Sequence, residues 1–168
     1  YVRVRVGKVG GRFVCAPLAR GAGAAMSLVR ADGFCVIPQN REGYEAGEIV
    51  NVELYKDPET LANTLVSVGS HDLIIDLIGD RMAAYYPGMG LSGTHVGSLG
   101  GLMALKRGET TLAPTHLLDE ETGEYNVAYL KKLFAGEEVS LIKGVQRIQG
   151  IMIKKGNPLG VTGIEDLP

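Results

Sequence analysis

Val-Ser-Val-Gly-Ser-His-Asp, Val66 to Asp72, and His-Val-Gly-Ser-Leu-Gly-Gly, His95 to Gly101, decide the fold of this chain. In each, a Gly-Ser pair closes an extended segment and opens an apolar helical one. Val66 to Gly69 reads as a strand. His71 to Tyr86 reads as a helix with Ile74, Leu77, Ile78, Met82 and Tyr85 on one face and Asp72, Asp76 and Asp80 on the other. Pro87-Gly88 stops it. Leu91 to Val96 is a second strand. Ser98 to Arg107 is a second helix, with Ser98 as N-cap, Lys106 and Arg107 in the last turn and Gly108 as C-cap. Strands that alternate with helices predict a parallel sheet with ligands at the carboxyl ends of its strands. The first turn of a helix carries unpaired N–H groups and a positive dipole end. A Ser hydroxyl beside it, with Gly allowing close backbone approach, is a seat for a small anion.

The same pattern continues downstream. Thr111 to Leu118 is a third strand. Asn126 caps a third helix whose stripe is Val127, Leu130, Leu133 and Phe134, ended by Gly136. Val139 to Lys155 is a long extended stretch, turned by Gly156-Asn157-Pro158, and Gly163-Ile-Glu-Asp-Leu starts a further helical turn. Upstream the pattern is different. Val2, Val4 and Val6 alternate with Arg3 and Arg5, and Arg12–Leu18, Phe34–Ile37 and Val50–Tyr55 are three more extended runs. Ala24, Ala25, Ser27 and Leu28 form a helical turn between the second and third. Short strands with Gly-rich turns suggest a small barrel or sandwich. The polar Lys-Asp-Pro-Glu-Thr segment marks a junction. The boundaries are therefore 1–56 for the β unit, 57–65 for a linker and 66–168 for the α/β unit.

Bulk properties narrow the function. The net charge is −2, with Lys and Arg scattered, and no basic surface or helix-turn-helix argues for nucleic acid. Apolar runs are short and interrupted, so no membrane span is expected. Val-Arg-Val-Arg-Val is a strand and not a targeting segment. Cys15 and Cys35 lack metal-ligand spacing and read as small buried residues of a cytoplasmic protein.

Candidate residues cluster at the strand–helix junctions. Ser70 reads equally as an N-cap and as a ligand contact. Ser98 leans toward a ligand contact, because Gly97, Gly100 and Gly101 around it weaken a helix start unless close approach is needed. His71, His95 and His116 fall on three loops that share one sheet edge. With Asp72 and Asp119 they lack the spacing of a zinc motif, and no metal is expected; they are ligand contacts or structural partners. Tyr125, at a helix start after the acidic 119–124 loop, either reaches the cleft or packs. Gln146, Arg147 and Gln149 lie on the long stretch. Arg147 there pairs either with an anionic ligand or in a structural ion pair.

Two resemblances follow from these residues. Tyr1-Val-Arg-Val, Gly33-Phe-Cys-Val-Ile-Pro38, Glu42-Gly43 and Gly47-Glu-Ile-Val-Asn-Val resemble the C-terminal domain of the molybdopterin molybdotransferase (molybdenum insertase, MoeA-type) family. Gly69-Ser-His-Asp, the run Leu91 to Leu105, His116-Leu-Leu-Asp, Glu124-Tyr-Asn and Gln149 to Pro158 resemble a type 2 periplasmic-binding-protein domain, akin to LysR effector domains. Together they imply a small all-β barrel followed by an α/β parallel-sheet lobe of the type 2 periplasmic-binding-protein kind. They also imply that the chain is a fragment. Catalytic and pterin-binding domains would precede Tyr1, and a second lobe would follow Pro168. The fragment would not be catalytic alone and would hold no cofactor itself, while molybdopterin and molybdate would serve the parent protein. Arg3 would face the pterin site of a partner subunit, and Ser27 falls where that family places cofactor-facing polar residues. A homodimer would form through domains outside this chain. The implied function is part of molybdenum-cofactor biosynthesis with a module for a small anionic ligand, molybdate or tungstate. The alternative is a regulatory sensor of an organic metabolite.

Overall fold

A computed structural model describes residues 1–18, 25–148 and 150–167. Gln149 and Ala24, the first residue of the anticipated helical turn, lie outside the described residues. The first unit is built on β1 (Val2–Val9), which hairpins into β2 (Arg12–Pro17). Gly10 and Gly11 make this turn at φ 54° and 82°. That is the doubly left-handed backbone a two-residue turn needs to match the twist of its strands. The helix α1 (Ala25–Arg30) leads to β3 (Gly33–Cys35), antiparallel to β1, and β4 (Val52–Leu54) pairs antiparallel with β3.

The sheet order is β2-β1-β3-β4. Among the described residues no pairing joins β2 to β4, so a closed barrel is not shown. Val2, Val4 and Val6 are buried on one face, as their alternation requires. They form a core with Cys35 and Leu61, flanked by Ile37, Tyr44, Val50 and Val52. Cys35 is buried, as read. Cys15 is exposed, because it sits on the outer strand of the hairpin.

The segment 57–65 holds α2 (Pro58–Ala62), started by Pro58 and capped by Asp57, whose carboxylate accepts the Glu59 N–H. Its Leu61 is 1% exposed and belongs to the core of the first sheet. The second unit then opens with β5 (Thr64–Gly69). α3 (Leu73–Tyr85) follows, then β6 (Gly90–His95), which pairs parallel with β5 in the register Thr64↔Gly90 through Gly69↔His95. α4 (Ser98–Lys106) and α5 (Val127–Leu133) complete its regular elements, and a 3-10 turn covers Ile164–Asp166.

Four local readings need correction. The third strand is reduced to one parallel bridge, Ser67↔Leu112, with Val68 N–H donating to Leu112 and Ser70 N–H to Pro114. Pro114 has no N–H to return, so the ladder stops there. The anticipated stripe of α3 is only partly covered: Leu77 and Tyr85 are 57% and 67% exposed, and Ile78 is exposed too. The face that meets β6 carries Gly79, where a built Cβ would sit 3.5 Å from Leu91, and Ile75, which approaches Gly93. Asn126 stands at the start of α5 at φ 68°, but its side chain serves another segment. It accepts from Thr115 Oγ1 at 3.1 Å and Leu117 N–H at 2.8 Å. Finally, the described part of 139–155 forms no strand.

The two units pack on each other. Val9 and Val14 of the hairpin cover Val66, Val68 and Ala104. A side chain at Gly7 would collide with Val66 and the Thr64 carbonyl. At the same boundary Arg5 Nη1 donates to the Arg30 carbonyl at 2.9 Å, and Nε to Ser92 Oγ at 3.2 Å. Arg5 Nε also lies 3.1 Å from Asp32, a carboxylate 1% exposed that takes the Val6 N–H at 2.8 Å and Lys56 Nζ at 2.7 Å.

Candidate functional site

Parallel pairing puts the carboxyl ends of β5 and β6 at one edge. The Gly69 carbonyl ties the two loops together there, accepting the N–H groups of Val96 at 3.0 Å and Gly97 at 3.2 Å. The 110–114 segment runs parallel beside β5 and delivers His116 to the same edge.

There Ser70 Oγ lies 2.9 Å and Ser98 Oγ 3.2 Å from the same atom, His116 Nδ1. Ser98 Oγ also accepts the backbone N–H of His116 at 3.1 Å. Both serines therefore use their hydroxyls on His116 and neither is an N-cap. Asp72 caps α3, accepting the Ile74 N–H at 2.9 Å, and Gly97 occupies the cap position of α4 at φ 80° with no side-chain cap. The glycines after Ser98 have a packing reason. A Cβ on Gly101 would stand 2.5 Å from Gly69 Cα and the Val68 carbonyl, and one on Gly100 would stand 3.0 Å from Val96.

A second pair forms beside this cluster. His71 Nδ1 and His95 Nε2 are 3.1 Å apart, with the rings at 71° and their centroids 4.3 Å apart. Partial desolvation, then the neighbouring His71, lowers the His95 pKa from its ordinary 6.5, against a smaller raising effect of Asp76. Arg147 pairs with Asp72, on an open surface hollow lined also by His71 and Leu73. The Ile74 N–H and then the Arg147 guanidinium hold the Asp72 carboxyl below its usual range.

The structure thus brings together Ser70, Ser98 and His116, joins His71 to His95, and places Gly97 and Arg147 at the same edge. Tyr125 is exposed and bridges to Leu118 across the acidic loop, with no hydrogen bond to the cluster among the described residues. Arg3 and Ser27 lie in the first unit, Arg3 half-buried on β1 and Ser27 buried in α1. Asp72, set beside the histidines in the sequence but not counted as a ligand contact, caps α3 and pairs with Arg147. Its signal was present, because an Asp directly before an apolar helical run is a cap, and a capping carboxylate can also take an arginine. Among the described residues no group of three or more His, Cys, Asp or Glu side chains converges as a metal cage. None of the described helices is long and apolar enough to cross a membrane.

Residues 79–168 match the family model of the PBP superfamily domain, and residues 1–55 match that of the MoeA C-terminal region (domain IV). The uncharacterized protein YvgK of Bacillus subtilis is 32% identical over 111 residues, covering 66% of this chain and 35% of that protein. A Methanocaldococcus jannaschii protein that carries the name of a molybdopterin biosynthesis protein is 53% identical over 36 residues, covering 21% of this chain and 9% of its own length. The chain therefore spans about a third or less of these relatives. No solved structure matches it.

Proposed function

We propose, from the premise that this chain belongs to the PBP superfamily and carries a MoeA domain IV region ahead of that domain, that it is the small-ligand module of a molybdenum-cofactor biosynthesis protein. The ligand we assign is a tetrahedral oxyanion, molybdate or tungstate. One observation carries this reading: the convergence of Ser70 and Ser98 on His116 Nδ1 beside the uncapped start of α4. A single ring nitrogen can hold only one hydroxyl in line. If Nδ1 is bare, one serine donates to it and the other hydroxyl hydrogen is left over. If Nδ1 carries the ring's proton it donates to a serine, and both hydroxyl hydrogens face outward. Either state presents donors to an acceptor-only ion, with the α4 dipole adding to the attraction.

In this reading the parent protein is a cytoplasmic molybdopterin molybdotransferase whose chemistry lies in other domains, and its dimer contacts lie there too. Molybdopterin would meet the first unit on the Arg3 side of β1. The small sheet would be the frame of that family's barrel, and a second lobe would close on the ligand about a hinge. The alternative, a sensor of an organic metabolite of the LysR effector kind, draws support from the surface hollow of His71, Asp72, Leu73 and Arg147. A guanidinium beside an exposed leucine suits a carboxylate with an apolar tail.

Calorimetric titration of sodium molybdate, sulfate and phosphate into the full-length protein tests the reading. Tight molybdate binding, lost in Ser70→Ala or Ser98→Ala, is the expected result. Binding of none of the three discards the oxyanion and leaves the organic effector.

A further inference from the structure

We propose that His71 and His95 form a two-imidazole site for a divalent transition cation of the zinc class, separate from the Ser70–His116–Ser98 cluster. The geometry suits it. Two imidazole nitrogens bound tetrahedrally to zinc at about 2.0–2.1 Å stand about 3.3 Å from each other. His71 Nδ1 and His95 Nε2 are already 3.1 Å apart. Turning each ring by about 35° from the N···N line would aim both lone pairs at one point, as tetrahedral geometry requires. Both side chains are exposed, so neither rotation meets a packed wall.

The backbone preorganises the pair. His71 follows β5 by two residues and His95 ends β6, and these strands are locked in parallel register up to Gly69↔His95. The Gly69 carbonyl holds the loop after β6 through two N–H groups. The two loops are held together by backbone pairing, so binding need not order them. Imidazole nitrogens favour zinc, nickel and copper over magnesium or calcium.

The charges that bear on His95 are the Asp76 carboxylate, which favours a cation, and Arg30, which opposes it. Asp72 is engaged by Arg147 and the Ile74 N–H. Water would fill the remaining positions, leaving them open to an exogenous ligand. A ligating nitrogen must be bare, so each ring would bind the cation as the tautomer whose N–H is on its other nitrogen.

The test is titration of zinc chloride into the chain, followed by calorimetry and by imidazole 15N NMR. We expect one zinc per chain, with coordination shifts at Nδ1 of His71 and Nε2 of His95 and none at His116. Affinity should fall at least tenfold in His71→Ala and in His95→Ala, with circular dichroism unchanged. Absence of binding, shifts confined to His116 or to neither of the paired rings, or undiminished affinity in either variant would overturn the proposal.

Discussion

Replacing Asp32 by alanine removes the acceptor that holds three donors at the boundary between the two units. The Val6 N–H at 2.8 Å is backbone and cannot turn to water, so it is left unpaired inside the sheet. That loss alone costs about 1–3 kcal/mol. Arg5 loses its carboxylate partner at 3.1 Å while its side chain stays mostly covered, although Ser92 and the Arg30 and Leu91 carbonyls still hold it. Lys56 is 44% exposed and regains water, so its share is small. Breaking a buried pair from one side typically costs about 3–5 kcal/mol, and the surviving Arg5 partners place the expected total near the lower figure, about 3 kcal/mol. Urea unfolding followed by circular dichroism should show the midpoint shifted by that amount with the slope unchanged. Asp32→Asn should fall between, because its carbonyl can still accept the Val6 N–H while its NH2 group faces a cation. A loss below about 1 kcal/mol for Asp32→Ala would refute the reasoning, since it would mean that the buried Val6 N–H finds another partner at no cost.

Gly101→Ala sets a helix gain of about 1 kcal/mol against an overpacking cost of about 1–3 kcal/mol. The opposing atoms, Gly69 Cα and the Val68 carbonyl, are backbone and cannot swing aside, so a lower melting temperature is expected. His95 should titrate below 6.5 by NMR in chelator-treated buffer, and His71→Ala should raise that value. A histidine depressed in the folded state binds its proton better when unfolded. Its contribution to stability is thus present above pH 6.5 and declines as pH falls through the folded value. The Asp72 carboxyl carries the opposite partner set: Arg147→Ala should raise its pKa only in part, because the Ile74 N–H remains, and the Ile74 amide shift should follow the same acid titration. Stability from Asp72 is present above the ordinary aspartate value and is lost as pH drops through the lowered one.

Much of the frame was legible in single residues. The alternation of Val2, Val4 and Val6 told which face of β1 is buried, and the two Gly-Ser junctions told where β5 and β6 end. Local pattern failed where a neighbour in space decided. Hydropathy placed Leu77 and Ile78 inward on α3, but the face that meets β6 is the one carrying Ile75 and Gly79. The cap reading of Ser70 and Ser98 rested on local habit, one alternative beside ligand contact, whereas Asp72 and Gly97 hold those positions and leave the hydroxyls to His116. Loop order placed the three histidines at one edge. It could not tell which pairs touch, because that depends on how far the 110–114 segment runs beside β5 before Pro114 ends its pairing.

Val9 and Val14 lie within the region that matches one family and Val66, Val68 and Ala104 in the part that follows it, yet they fill one interior. The seam between the two matches is therefore no seam in the energetics. A cut near residue 56 would uncover apolar surface on both pieces and strip Leu61 from the valines it covers. The two regions should lose structure together in one cooperative transition, and a ligand that tightens the β5–β6 edge would raise the melting point of the hairpin as well.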